Sequence, residues 1–332
     1  MGYLVEGVWK DLPRDTRRTG GEFIRPESVF RDRVTADGSS GFKAEAGRYH
    51  LYVSLACPWA HRTIIFRKLK GLEKAISLSV VDPLMGANGW EFSERPGCTL
   101  DTANGAAYLY EIYLKARPGF SGRVTVPTLW DKARGTIVNN ESSEIIRMLN
   151  GEFDALVDKA GTRSLPDMYP PELRPEIDRW NELVYRTVNN GVYRAGFATA
   201  QDRYERAVGD LFATLEALER HLAKSRYLCG ERITEADWRL FTTLARFDVV
   251  YHYHFKCNLR RLRDYPNLWA YTRELYQVPG VASTVDMWHI KDHYYRSQKE
   301  VNPSQVVPVG PEIDFAEPHG RGKLATQAAA NP

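Results

Sequence analysis

The stretch "RYHLYVSLACPWAHRTIIFRKLKGLEKAISLSVV", residues 48–81, decides the fold of the first half of the chain. Residues 48–54 alternate in character as the residues of a β-strand do. A proline follows the single cysteine Cys57, and residues 58–70 then show a helical pattern with that proline in the first turn. A second apolar segment, residues 75–81, is typical of another strand. The strand–helix–strand order predicts a parallel pair of strands in an α/β domain.

Length, composition and charge exclude several classes of protein. The chain has 332 residues, of which 43% are hydrophobic, enough for a large core and, on length, two domains. Its 45 basic and 42 acidic residues leave a net charge of +3, so neither a nucleic acid nor a membrane surface is an expected partner. No apolar run is long enough to span a bilayer, and the first residues do not resemble a signal peptide. Four cysteines in a chain this long do not make a disulfide framework, which predicts a reduced, cytoplasmic setting.

Later segments complete the first domain and predict a second one. Residues 82–122, rich in Gly, Asn and aromatic residues, interrupt the first domain. Residues 124–140 predict two strands around a turn at residues 131–135, and residues 141–149 predict a helix. Further helical patterns cover residues 175–189, 203–224, 235–255 and 267–277. The predicted organisation is an N-terminal arm (1–47), an α/β domain (48–150, insert about 82–122), a linker (151–171), an all-helical domain (172–300) and an extended C-terminal tail (301–332).

The position of Cys57 suggests a reactive thiol. A helix N-terminus presents unpaired N–H groups and a partial positive charge, and both favour the thiolate and lower a cysteine pKa. His61 and Arg62, in the first turns, would add to the positive field. The alternative is a buried cysteine that packs as a small apolar residue. The strand–Cys-Pro–helix context favours the reactive interpretation.

The motif "CPWA" also predicts which kind of thiol chemistry is possible. In a C-x-x-C motif the second cysteine resolves a mixed disulfide, but here Ala60 stands in its place. Cys98, Cys229 and Cys257 are distant in sequence and have no matching context. The resolving thiol must therefore come from outside the chain, and the abundant small cytosolic thiol is glutathione.

Two further segments could bind such a peptide. In "VPT", residues 126–128, the proline suits a strand start, and a cis Val126–Pro127 bond would expose the Val126 backbone to an extended peptide. An ordinary edge-strand proline is the equal alternative. In "NNESSEII", residues 139–146, backbone N–H groups and serine hydroxyls could bind a carboxylate and Glu141 an ammonium group. Helix capping explains the same residues, and only the combination with Cys57 favours a γ-glutamyl tripeptide.

Two other motifs that look chemical are interpreted as structural. "ITEADW", residues 233–238, predicts a capping box in which Thr234 and Asp237 bond each other's backbone N–H groups. His252 and His254 have the wrong spacing for two ligands on one helical face, so no metal site is predicted.

Seven segments together resemble the glutathionyl-hydroquinone reductases, the Xi class of glutathione transferases, which is related to the omega class. The resemblance extends from about Tyr3 to Gly320. It implies a thioredoxin-like N-terminal domain, an all-α C-terminal domain and a homodimer built mainly through the C-terminal domains. The segments are "LYVSLACPWAHRT", "SVVDPLMGANGWEF", "SGRVTVPTLWD", "NNESSEIIRMLN", "VNNGVYRAGFAT", "RFDVVYHYHFKCN" and "KDHYYRSQKEVNP".

The resemblance also implies an activity and a set of site residues. Glutathionyl-hydroquinones would be reduced, with Cys57 as nucleophile and glutathione as co-substrate. Tyr193 of "NNGVY" and Tyr294 of "KDHYYRS" would contact the phenolic ring, with the adjacent Tyr295 as the alternative to Tyr294. The implied glutathione-binding residues are Trp90, Arg123, Val126, Glu141 and Ser142.

Two other functions stay open. One is a conjugating or dehalogenating glutathione transferase, which would hold the thiolate of glutathione with a Ser or Tyr donor rather than a cysteine. The other is a non-catalytic glutathione-binding regulator, which the intact "CPWA" motif disfavours.

Overall fold

The chain folds into two compact units. The computed structural model describes residues 2–12, 15–157 and 166–324. The units are not continuous in sequence, because each takes in segments from both ends of the chain. In the described part, the first unit comprises residues 2–12, 26–157, 166–167 and 284–299, and the second comprises residues 15–25, 168–283 and 300–324.

The described elements are seven strands and ten α-helices. The strands are β1 (Tyr3–Val5), β2 (Val8–Lys10), β3 (Tyr49–Val53), β4 (Ser77–Val80), β5 (Gly122–Arg123), β6 (Thr128–Asp131) and β7 (Thr136–Asn139). The helices are α1 (Pro58–Leu69), α2 (Leu109–Ala116), α3 (Ser142–Gly151), α4 (Asp154–Val157), α5 (Arg174–Val184), α6 (Gly191–Gly196), α7 (Gln201–Leu222), α8 (Glu235–Arg246), α9 (Pro266–Tyr276) and α10 (Met287–Ser297).

A four-stranded sheet forms the centre of the first unit. Its order is β4-β3-β6-β7, with β3 and β4 parallel and the other two pairs antiparallel. Helix α1 connects β3 to β4 and packs against α3, and every residue of β3 is buried. The predicted strand–helix–strand unit and the predicted pair of strands around the turn at Asp131–Gly135 are both confirmed, because local patterns specify them. The insert, predicted without regular structure, contains helix α2.

The N-terminal segment is more ordered than the predicted irregular arm. Strands β1 and β2 form an antiparallel hairpin, and β1 also pairs with β5, so that a small sheet has the order β2-β1-β5. Residues 15–25 instead belong to the second unit, where the Thr16 and Thr199 hydroxyl oxygens lie 2.7 Å apart. The phenyl ring of Phe23 packs edge-on against Phe197.

The second unit is helical, as predicted. Helices α5 and α8 each continue into a π-helical turn, Tyr185–Asn189 and Phe247–Tyr251, so each predicted helix is a shorter α-helix with a wider last turn. The predicted capping box is present: Thr234 and Asp237 bond each other's backbone N–H groups at the start of α8. In the described part of the chain, no helix has the length and apolar character needed to cross a membrane.

Helix α10 belongs to the first unit rather than to the helical domain that the sequence predicts for residues 172–300. The reason is a set of contacts with the insert. His289 Nε2 lies 2.8 Å from the Pro96 carbonyl oxygen, and His293 Nδ1 lies 2.8 Å from that of Pro83. Residues 158–165 of the predicted linker lie outside the described residues, and α4 forms inside its first part.

The described part of the C-terminal tail, residues 301–324, has little regular structure, as predicted, and contains a buried arginine, Arg321. Val309 is almost fully exposed, whereas the side chain of Arg321 is buried in the second unit. The Arg321 guanidinium donates to the Glu274 carboxylate (3.1 Å) and to the carbonyl oxygens of Leu222 (3.0 Å) and Ser225 (2.9 Å). These bonds satisfy carbonyl groups at the C-terminal end of α7 and in the chain that follows it, so residues up to Arg321 are an integral part of the helical unit.

Buried His50 predicts that the protein becomes less stable in mild acid. Its Nδ1 lies 2.8 Å from the Ser77 hydroxyl in the first unit, and burial lowers the pKa of His50 from 6.5 to about 4. Between pH 6.5 and about 4, His50 is protonated in the unfolded chain but not in the folded chain. Stability is therefore complete above pH 6.5 and falls as the pH drops towards 4. At pH 5 we expect a loss of about 1–2 kcal/mol from this residue.

Urea unfolding of wild type and His50→Asn at pH 7.5 and pH 5 tests this expectation. Asparagine retains a donor for Ser77 but does not titrate, so the variant should lose less stability between the two conditions. Carboxylates with a lowered pKa, such as Asp131, also stabilise the fold, but their contribution to stability is lost only below pH 5. They therefore do not affect the comparison between pH 7.5 and pH 5. Equal losses in the two proteins would contradict the assignment to His50.

Candidate functional site

Cys57 occupies the position that the sequence predicts, directly before helix α1. It is the N-cap residue, with an extended backbone (φ −77°, ψ 121°), and Pro58 begins the helix. Its carbonyl accepts the first helical bond from the His61 N–H (2.9 Å). The thiol is partly exposed, and its sulfur lies 3.6 Å from the Val126 carbonyl oxygen as a hydrogen-bond donor. A partly exposed sulfur at a helix N-terminus combines access with a favourable field for a thiolate.

The two basic side chains in the first turns of α1, His61 and Arg62, contact different parts of the first unit. His61 Nε2 lies 2.8 Å from the Thr284 hydroxyl in the same unit. The Arg62 guanidinium lies over the indole of Trp59, 4.6 Å from the ring centroid, and is almost fully buried. Arg62 Nη1 also donates to the Ser142 hydroxyl at 3.4 Å. Arg62 therefore links the helix that carries Cys57 to the start of helix α3.

Val126 is the residue whose backbone carbonyl lies near the Cys57 thiol. The Val126–Pro127 bond is cis, the first of the two alternatives considered for "VPT". The Val126 side chain is buried, while its carbonyl group faces the Cys57 sulfur. The Val126 carbonyl group is thus next to the Cys57 sulfur.

The polar side chains at the start of helix α3 cap the helix and can also form further hydrogen bonds. Glu141 is the N-cap: its Oε1 accepts from the Ser143 N–H (3.1 Å) and hydroxyl (2.9 Å), and its Oε2 accepts from the Ser28 hydroxyl (3.0 Å). A carboxylate has about four acceptor positions, so these bonds leave capacity for a cation. Since arginine only donates, the Ser142 oxygen accepts from Arg62 and retains its own proton to donate.

Trp90 and Arg123 lie in the same unit as Cys57. The Trp90 indole is buried and stacks on His293 of helix α10, with ring centroids 4.9 Å apart and planes 21° apart. Arg123 is in strand β5 opposite Tyr3, and its guanidinium carbon lies 5.5 Å from the centroid of the Tyr3 ring. That these residues bind glutathione stays a prediction.

The predicted ring-binding tyrosines fall in different units. Tyr294 and Tyr295, in α10 of the first unit, are each 1% exposed, so burial does not distinguish them. Tyr193, in α6 of the second unit, packs edge-on against Tyr251 and Phe255.

Arg25 was missed by sequence reasoning and occupies a face of the Tyr193 ring. Its guanidinium carbon lies 4.7 Å from the Tyr193 ring centroid, and its Nε donates to the Asn190 side-chain oxygen (3.1 Å). A substrate ring could therefore not stack on this face of Tyr193. The sequence carries no signal for this contact, because Arg25 is far from Tyr193 along the chain.

The other three cysteines are poor candidates for a nucleophile. Burial raises the pKa of Cys98 and of Cys257, and raises the pKa of Cys229 to about 12. These thiols stay protonated at neutral pH, and a protonated thiol is a weak nucleophile. Within the described ranges, no cluster of three His, Cys, Asp or Glu side chains could hold a metal ion.

Family models match both halves of the chain. The model for the glutathione S-transferase N-terminal domain matches residues 56–152, and the model for the C-terminal domain of the same family matches residues 201–274. The predicted fold class, a thioredoxin-like domain followed by an all-α domain, is therefore confirmed.

Full-length relatives define the family more narrowly. The glutathionyl-hydroquinone reductase YqjG of Escherichia coli is 56% identical, over 97% of this chain and 98% of the relative. The glutathione-bound structure of that protein has a TM-score of 0.88 at 52% identity, covering 96% of this chain and 99% of that one. A Xi class glutathione transferase from Natrialba magadii has a TM-score of 0.90 at 48% identity, covering 97% of both chains. The predicted resemblance is confirmed, and the chain belongs to the glutathionyl-hydroquinone reductases, the Xi class of glutathione transferases.

Proposed function

We propose that this protein is an enzyme that reduces glutathionyl-hydroquinones to hydroquinones through a mixed disulfide between Cys57 and glutathione. One observation carries the proposal: a partly exposed cysteine caps the N-terminus of α1, and Ala60 stands where a resolving cysteine would be. The thiol can therefore form a mixed disulfide that only an external thiol resolves. The membership of the family of glutathionyl-hydroquinone reductases supports the substrate class.

The reaction has two steps. In the first, the Cys57 thiolate attacks the glutathionyl sulfur of the substrate, an S–S bond forms, and the bond between that sulfur and the ring breaks. The ring reacts in its keto form, so the electron pair of the broken bond becomes a ring double bond and the negative charge moves to the carbonyl oxygen. That oxygen takes up a proton, and the hydroquinone leaves. In the second step, the thiolate of another glutathione attacks the mixed disulfide. Glutathione disulfide leaves, and the Cys57 thiolate is restored.

Five residues of the first unit are proposed to bind the glutathionyl group. The glutathione-bound structure of a relative supports a glutathione site in this fold. The Ser142 hydroxyl has a proton to donate to a carboxylate, and Glu141 has acceptor capacity for an ammonium group. The full set is Trp90 as a cover, Arg123, the backbone of Val126, Glu141 and Ser142.

The decisive experiment compares substrates. With glutathione supplied, the protein should turn over a chromogenic glutathionyl-hydroquinone much faster than a standard electrophile used to assay conjugation. The physical reason is that the Cys57 thiolate can attack the glutathionyl sulfur of the first compound, whereas conjugation needs a Ser or Tyr donor that stabilises the thiolate of glutathione itself. Faster conjugation would instead indicate a conjugating transferase, and no turnover of either compound would indicate a non-catalytic glutathione-binding protein.

The protein is proposed to be a cytoplasmic homodimer. A cyclic two-fold dimer is the commonest closed assembly, and a reducing compartment keeps Cys57 available as a thiol. Sedimentation of the full chain should give about twice the monomer mass of 37.9 kDa. A fragment that ends at Asn150 should be monomeric or insoluble, because it lacks the helical unit. A soluble fragment that dimerises like the full chain would contradict an interface in the C-terminal half.

A further inference from the structure

The N-terminal hairpin holds a tryptophan against the loop that leads to Trp90. Trp9 lies in β2 and pairs with Leu4 of β1. Strand β1 also pairs with β5, in which Arg123 is located, so the hairpin is joined to the body of the first unit through a small sheet. Strand β1 pairs with β2 at one edge and with β5 at the other, and these backbone hydrogen bonds restrain the position of Trp9.

The Trp9 indole makes three specific contacts with the first unit. Its Nε1 donates to the Ala87 carbonyl oxygen at 2.8 Å. Its ring lies so close to Gly89 that a Cβ at that position would be 2.7 Å from it, and Gly89 also has a positive φ of +76°. The other contact is a stack on Tyr110 of α2, with centroids 5.2 Å apart and planes 20° apart. The absence of a side chain at Gly89 is what allows the indole to approach.

The loop that Trp9 contacts is short and leads directly to Trp90. The Gly89 N–H donates to the Gly86 carbonyl (3.1 Å), which closes the loop, and the next residue is Trp90. The Trp90 carbonyl accepts from the Leu109 N–H (2.9 Å), and its ring stacks on His293. These contacts hold Trp90 from the side of α2 and α10, and Trp9 holds the tip of the loop through Ala87 and Gly89.

We infer that Trp9 is a positioning residue for glutathione binding. The inference rests on the proposed function, in which Trp90 covers glutathione. Trp9 restrains the backbone from Ala87 to Gly89. Because Trp90 is the next residue, this restraint also fixes the position of its Cα atom and therefore of its indole ring. A cover that is held in place before glutathione binds does not lose conformational freedom when it binds. The Trp9 side chain is therefore part of the binding apparatus, and the hairpin serves to hold it.

Steady-state kinetics on single variants provide the first test. Trp9→Ala should raise the KM for glutathione roughly five- to tenfold with little change in kcat, as expected when binding that is equal in the ground state and the transition state is lost. Trp9→Phe retains a ring on Tyr110 but loses the donor to Ala87, so its KM should be intermediate. Val8→Ala, at an exposed neighbouring position, is the matched control and should behave as wild type.

Two measurements separate positioning from a general loss of structure. Hydrogen exchange of the peptide covering residues 82–92 should be faster in Trp9→Ala, while the exchange of strand β3 should not change. If Trp9→Ala does not fold, Trp9→Phe provides the same comparison with a smaller expected change. A wild-type exchange rate in the 82–92 peptide of folded Trp9 variants would overturn the inference.

A double-mutant cycle with Trp90→Ala shows whether Trp9 acts through Trp90. The KM increase of Trp9→Ala should disappear in the Trp90→Ala background, because there is no cover left to position. Full additivity of the two changes would overturn the inference but leave the proposed function intact. If Trp90→Ala alone left the KM for glutathione unchanged, the assignment of Trp90 as the cover would be wrong, and the inference would be wrong with it.

Discussion

Replacing Cys57 with serine should abolish the reduction of glutathionyl-hydroquinones, lowering the rate at least about a thousandfold. The serine hydroxyl is not ionised at neutral pH, and a hydroxyl oxygen does not attack the glutathionyl sulfur as a thiolate does. The fold should be unaffected, because serine is close to cysteine in size and the hydrogen bond from the Cys57 sulfur to the Val126 carbonyl is long, at 3.6 Å. Stopped-flow or steady-state assays with glutathione in excess measure the loss.

Glutathione should still bind to the Cys57→Ser protein. The proposed binding residues Glu141 and Ser142 keep their contacts with Ser143 and Arg62, and none of these involves the thiol. Calorimetric titration with glutathione should therefore give an affinity close to that of wild type. With no protein thiolate in the site, the variant should show weak conjugating activity that wild type lacks.

The mixed disulfide itself is open to direct detection. Wild-type protein treated with the glutathionyl substrate, and with no added glutathione, should carry a glutathione adduct on the peptide that contains Cys57. Added glutathione should remove it. Cys98, Cys229 and Cys257 should stay unmodified, because burial raises the pKa of each thiol.

The matched control is Cys98→Ser, which removes a partly exposed thiol outside the motif and should leave the rate unchanged. A Cys57→Ser protein that reduces the substrate at the wild-type rate would end the proposed mechanism, whatever the outcome of the binding measurement. Modification of Cys98 in place of Cys57 would do the same.

Phenylalanine at Tyr193 or Tyr294 should lower turnover about ten- to a hundredfold. A phenolic O–H can donate to a hydroquinone oxygen and stabilise the negative charge that develops there as the carbon–sulfur bond breaks. A hydrogen bond to a charged group is worth about 1.5–3 kcal/mol, which converts to this range of rates. Arg25 covers one face of the Tyr193 ring, so a substrate ring could not stack on that face.

Substrates with different leaving groups distinguish a catalytic hydroxyl from a structural one. Electron-poor rings stabilise their own negative charge, so the loss in each variant should shrink as the hydroquinone becomes more acidic. Tyr295→Phe is the matched control, because Tyr295 is adjacent to Tyr294 in α10 and equally buried. A wild-type rate in Tyr193→Phe or Tyr294→Phe would remove that residue from the proposed site. A loss confined to Tyr295→Phe would transfer the role to Tyr295.

Local sequence patterns were sufficient for the central elements of the fold. Alternating residues predicted β3, the Cys-Pro pair predicted the start of α1, and the capping box at Thr234 predicted the start of α8. Each of these features depends on residues a few positions apart, so the sequence contains the whole signal. The place of Cys57 at a helix N-terminus was predictable for the same reason, because the cysteine and the proline that begins the helix are adjacent in sequence.

Short or irregular elements were not predictable. Helix α6 has six residues and begins and ends with glycine, and α2 lies in a segment rich in turn-forming residues. In such segments local propensity favours loops, and the helix forms because packing against the rest of the unit stabilises it.

Tertiary structure alone decided which segments belong together. The sequence prediction assigned residues 287–297 to the helical domain, yet contacts from His289 and His293 to the insert make α10 part of the first unit. The contacts of Trp9 with Ala87 and of Arg25 with Tyr193 likewise join residues far apart along the chain. Such pairs leave no periodic or motif signal, because a side chain's partner across space is set by the whole packed fold and not by its neighbours in sequence.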